Sequence, residues 1–206
     1  MDNTDYSRAT AVAAQSNPLL TEFLEQHKKS DGMTVTDLQN CQDASQSDQA
    51  TLKLLADGKN KAAIAKQLQT DIGQDQQAAG SGSSPGDDRS NAQQDNRIVT
   101  LDQRMLSSGA QLSQEQKSAL NKDIKTHRLD AQYSNADVGN EAAYAQHDRQ
   151  LLQALSTGQG VEAATAQVKK DRQADIANEK KYIRNDHAMK AAHQKVMQLF
   201  GNVEIR

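Results

Sequence analysis

Sliding the chain against itself by 100 positions brings Asn40, Gln46, Asp48, Leu52, Leu55, Gly58, Ala63, Gln67, Asp71 and Asp75 onto Asn140, Gln146, Asp148, Leu152, Leu155, Gly158, Ala163, Gln167, Asp171 and Asp175. The shared positions keep helical spacing and share one glycine, so the chain reads as two copies of one helical plan. Leu20, Leu24 and His27 recur upstream as Leu120, Ile124 and His127. The fold class expected is all-α, a tandem repeat of a three-helix unit.

Local signals divide each copy. Asn17-Pro18 opens a first helix that runs to about Gly32, and Ser113-x-x-Gln116 is a capping box opening its counterpart. Thr34 and Ser134 stand as N-caps of the second helices, with Asp37 and Asp137 placed for the positive helix end and Met33 and Tyr133 as staples. Those helices end at Gly58 and Gly158, where a left-handed C-cap is expected, and the third helices fold back at once. The last helix of copy two has no Gly or Pro from 161 to 200. It reads either as one helix of about 60 Å or as two, restarting at Asn185-Asp186.

Gly80-Ser81-Gly82-Ser83-Ser84-Pro85-Gly86 cannot hold a helix and reads as a flexible linker. The expected organisation is a first unit at 1–79, a linker at 80–92, and a second unit at 93–206 with a C-terminal helical extension.

Composition narrows the function. The hydrophobic share is 35%, with no Trp, two Phe and four Tyr, so the core must be thin and built from aliphatic side chains. A net charge of −3 with mixed signs offers no basic field for nucleic acid. The single Cys41 excludes an internal disulfide and a cysteine-rich zinc cluster. Residues 1–17 carry no apolar signal-peptide core, and no run is long enough to span a membrane. A cytoplasmic protein is expected, or one exported without a classical signal peptide.

The unusual residues are polar ones on apolar stripes. Asp48 and Asp148 sit four residues before Leu52 and Leu152, and a carboxylate there needs a partner. His27 and His127 end the stripes of the first helices, and Gln67 and Gln167 are further partners, so a structural His–Asp contact is expected in each copy. Asp71 with Asp75, and Asp171 with Asp175 and Glu179, read as solvated acidic faces. No Glu stands three residues before a histidine, as a ferritin-like di-iron bundle requires. No catalytic residue, metal ligand or cofactor is assigned, since no nucleophile elbow, phosphate loop or dinucleotide fingerprint occurs.

Leu52-x-Leu54-Leu55-Ala56-x-Gly58 followed by Ile64-Ala65-x-x-Leu68 resembles the helix-turn-helix of quorum-sensing transcription regulators, and that resemblance implies DNA binding. The chain departs from that pattern after Leu68, where Gln69 to Asp75 is acidic instead of rich in Ser, Thr, Lys and Arg. The leading expectation is a non-enzymatic helical interaction or structural protein of bacterial or phage type, such as a secreted effector or virion component. It would dock protein partners or copies of itself, without nucleic acid or a membrane span. A DNA-binding regulator using residues 52–68 is the alternative, and a metal-dependent or acid/base enzyme built on the His/Asp pairs is the second.

Overall fold

A computed structural model describes residues 18–80 and 87–201. Among them lie five helices and no strand: α1 (Pro18–Asp57), α2 (Lys61–Ala79), α3 (Asp88–Ser107), α4 (Gln114–Thr157) and α5 (Val161–Phe200). None is long and apolar enough to cross a membrane.

The helix ends follow capping chemistry. Asn60 accepts from the Ala63 N–H at 3.0 Å to open α2. Ser113 and Gln116 close a reciprocal capping box at the start of α4. Gly58 and Gly158 turn the chain in left-handed conformations at φ 65° and 76°, where a side chain would be strained. A Cβ on Gly80 would lie 2.5 Å from the Asp87 Cβ, so glycine lets the end of α2 approach the N-cap of α3.

The internal caps expected at Thr34 and Ser134 are corrected. Both residues lie inside the continuous helices α1 and α4, so each expected pair of first and second helices is one helix. Thr34 donates its hydroxyl to the Ser30 carbonyl at 3.0 Å, back-bonding within the helix. Asp37 accepts from Asn91 at 2.7 Å and Asp137 from the Tyr182 hydroxyl at 3.0 Å, so neither serves a helix N-terminus. Packing along the whole length of each helix outweighs a capping preference of about 1 kcal/mol. Each unit is therefore a two-helix hairpin, with turns at Gly58 and Gly158. The C-terminal helix is one continuous piece from 161 to 200, with Asn185 and Asp186 buried in its middle.

The helix α3 was not expected. Its first residues, 88–92, fall where the linker was placed, and Ala92 is buried; residues 81–86 of that run lie outside the described residues. α3 packs on α1 and α4 as α2 does, and meets α2 only at its end. Together α2 and α3 fill one side of a four-helix bundle whose other members are α1, α4 and α5, running up, down, up and down. α1 and α4 lie diagonally opposite each other.

An apolar cluster closes each end of the bundle. One joins Leu20, Phe23 and Leu24 of α1 to Leu101 and Met105 of α3, Leu120 of α4, and Val196 and Phe200 of α5. The other joins Leu55, Ile64 and Leu68 to Leu151 and Val168. Both draw on both halves of the chain, so the expected units at 1–79 and 93–206 share their cores. The α1–α2 turn that resembles a helix-turn-helix spends Leu55, Ile64 and Leu68 on this packing.

Candidate metal centre

Between the apolar ends the bundle axis is polar. The stripe positions that would carry Leu or Val hold instead His27, Asp48, Asp102, Asp123, His127, Asp148, Arg172, Asp175, Asp186 and His193, each no more than 2% exposed. Burying such groups is costly unless each finds a partner.

At one level of the axis three histidines converge on two aspartates. His27 comes from α1, Asp102 from α3, Asp123 and His127 from successive turns of α4, and His193 from α5. His27 Nδ1 donates to the Phe23 carbonyl at 2.8 Å, and His193 Nε2 donates to the His27 carbonyl at 2.7 Å. A carbonyl oxygen only accepts, so these contacts fix the proton on the outer nitrogen of each ring. The inner nitrogens, His27 Nε2 and His193 Nδ1, then carry lone pairs when the rings are neutral. His127 Nδ1 lies 2.8 Å from Asp95 Oδ1, which leaves its Nε2 facing the same centre.

Those inner nitrogens face carboxylate oxygens. His27 Nε2 lies 3.1 Å from Asp102 Oδ1 and 3.3 Å from Asp123 Oδ2. Asp123 Oδ2 is 3.6 Å from His127 Nε2 and 3.8 Å from His193 Nδ1. Among the described residues none of the three nitrogens, and neither oxygen of Asp102 or Asp123, has a well-formed hydrogen bond. Lone pairs opposed across 3 to 4 Å repel until something positive stands between them. Atoms bound to one ion at about 2.0–2.2 Å sit roughly 3.0–3.4 Å apart, close to the separations found here. His27, Asp123 and His193 offer donor atoms that all lie within 4.8 Å of one another.

In the metal-free centre a proton on His27 supplies that charge. Burial alone would lower the His27 pKa, but Asp102 and Asp123 outweigh it and raise it to about 9. Burial lowers His127 to about 3. Burial works to raise Asp123, yet His193 and His27 overcome it and hold this carboxyl well below the usual range. The centre holds an ionised carboxylate and gathers positive charge, which a proton or a metal ion can supply.

A second polar level surrounds Arg172. Its guanidinium lies 3.3 Å from Asp48, 3.7 Å from Asp71 and 3.5 Å from Asp75, and bonds Asp148 directly. Burial, with Asp175 close by, pushes the Asp48 carboxyl up to about 10, while Arg172 restrains Asp148, which burial raises to about 7. Beside them opens a cavity of about 260 Å³ lined by acids from α1, α2, α4 and α5.

Asp48 and Asp148 are thus buried as their stripe positions require, but their partner is Arg172, and the expected His27–Asp48 and His127–Asp148 contacts do not form. Gln67 donates to Asp71 at 2.8 Å and Gln167 to Asp171 at 2.7 Å, each along its own helix. Asp71, Asp75, Asp171, Asp175 and Glu179, expected on solvated faces, are all buried. Sequence reasoning missed Asp102, Asp123, Arg172 and His193. Their signal was spacing: Asp95 and Asp102, like Arg172, Glu179 and Asp186, recur every seven residues along one helix stripe. The chain matches no known family model, no curated protein and no solved structure.

Proposed function

We propose that this protein is a metal-binding helical bundle that holds a first-row divalent transition-metal ion on His27 Nε2, His193 Nδ1 and Asp123, with Asp102 and His127 completing its shell. One observation carries the reading: the inner nitrogens of two imidazoles, oriented by backbone carbonyls, face a buried carboxylate that has no well-formed hydrogen bond, and a metal ion would take the place of the proton held there. Imidazoles held from their far side by carbonyl or carboxylate acceptors are the usual outer shell of a metal site. A donor set of nitrogen and oxygen without thiolate suits Zn²⁺, Fe²⁺, Mn²⁺ or Co²⁺.

Three donors within mutual reach, with almost no exposure, describe a closed site, which binds its ion for structure or carriage and leaves no place for a substrate. The ion would tie α1, α3, α4 and α5 together at one level. Metal-linked stability is its first consequence.

The interaction or structural reading has less support. Among the described residues Val35 is the one exposed large hydrophobic, at 50%, which gives an apolar partner little to grip.

Isothermal titration of the metal-free chain with Zn²⁺ and with Co²⁺ tests the proposal. One equivalent per chain should bind, and His193→Gln and Asp123→Asn should each weaken affinity at least tenfold. Absence of saturable binding, or binding indifferent to both substitutions, would overturn it.

A further inference from the structure

The acidic cavity shares no ligand with the histidine centre. We infer that it is a second cation site, in which Asp137, Glu141 and Asp175 bind a hard divalent ion of the Ca²⁺, Mn²⁺ or Mg²⁺ class. Three observations place it there. Asp137 and Glu141 stand one turn apart on α4 opposite Asp175 on α5, and one oxygen of each lies within 4.8 Å of the others. That is the span of cis and trans oxygens around one ion at about 2.1–2.5 Å.

The second observation is an unmet need inside the cavity wall. Asp175 is 2% exposed, and its Oδ1 has no hydrogen-bond partner among the described residues; Glu179 Oε2, also lining the cavity, is in the same position. The third is charge. Arg172 is spent on Asp48, Asp71, Asp75 and Asp148. Among the described residues no Lys, Arg or His nitrogen pairs with Asp137, Glu141, Asp175 or Glu179. A carboxylate set this dense, with oxygen as its sole donor type, selects hard cations over the nitrogen-seeking metals of the histidine centre. The cavity's 260 Å³ leaves room for the waters such ions retain.

The chain carries its own reporter. It has no Trp, and Tyr133 and Tyr182 line the cavity, so Tb³⁺ bound there, standing in for Ca²⁺, should show tyrosine-sensitised emission. Titration of the full chain should saturate at one equivalent, and Mn²⁺ or Ca²⁺ should displace the signal. The double substitution Glu141→Gln with Asp175→Asn keeps side-chain shape and should weaken Tb³⁺ binding at least tenfold, while His193→Gln leaves it unchanged. If circular dichroism shows the double variant unfolded, Asp137→Asn alone is read and should cost a measurable part of the same affinity. Lack of sensitised emission, or emission unaffected in the folded acid variants, would overturn the inference. Loss of Zn²⁺ binding in His193→Gln reports on the histidine centre alone, so the two sites fail separately.

Discussion

Asp48 and Asp148, one hundred positions apart and occupying the same place in the two halves, meet on a single guanidinium, that of Arg172. The equivalent of Arg172 in the first half is Ile72, so one cation serves both copies. This is the level at which the halves are joined by charge as well as by apolar contact.

Arg172 is 1% exposed, and its removal would leave the buried acids Asp71, Asp75 and Asp148 without their counter-charge. Arg172→Met should therefore cost about 3–5 kcal/mol in urea unfolding at neutral pH. Asp48→Asn should change stability by less than about 1 kcal/mol, because burial already favours the neutral form of this group and Asn keeps its shape. Equal losses in the two variants would mean that the cluster is not centred on Arg172.

Stability of the metal-free protein should fall as pH rises. Burial, reinforced by Asp130, raises Asp37 to about 7; burial raises Glu179 to about 8; burial and Asp137 raise Asp88 to about 9. In the unfolded chain these carboxyls lose their protons near pH 4, whereas the folded protein keeps them. Between those limits the folded state binds more protons, so each step up in pH favours unfolding, until the folded groups have titrated too. In chelator, the melting temperature at pH 8 should lie more than about 5 °C below that at pH 5. A higher value at pH 8 would reverse the sign of the account.

The corrected helix boundaries have a direct consequence. Ser113 caps α4 and Thr34 caps nothing, so Ser113→Ala should cost about 1 kcal/mol, whereas Thr34→Val, which keeps the side-chain shape at this buried position and removes only a hydroxyl bonded within its own helix, should cost less than about 0.5 kcal/mol. Chemical denaturation of the two variants side by side gives the comparison. The opposite ranking would restore a helix start at residue 34.

Much of the bundle is legible in the sequence because its turns are punctuated. Gly58 and Gly158 mark hairpins, and the Ser113–Gln116 box marks the start of α4. The helix α3 escaped notice because Asp95 and Asp102 occupy stripe positions that would otherwise have announced it, as Ile98, Leu101 and Met105 do. The same acids hid the site. His27 and Asp48 stand out as polar residues on an apolar stripe, but their partners are set by which helices become neighbours, and α1 meets α5, from the other half, along most of its length. Pairing inside each copy therefore named the right residues with the wrong partners. The caps at Thr34 and Ser134 misled for another reason: their local chemistry is sound, but long-range packing extends both helices through it.

The central claim is the ion between His27, His193 and Asp123, and X-ray absorption at the zinc edge of the Zn²⁺-loaded protein tests it most directly. The spectrum should show nitrogen and oxygen neighbours at about 2.0–2.2 Å, with the outer-shell scattering of at least two imidazoles, which His193→Gln should diminish. A shell containing sulfur from Cys41, or oxygen neighbours without imidazole scattering, would contradict the account.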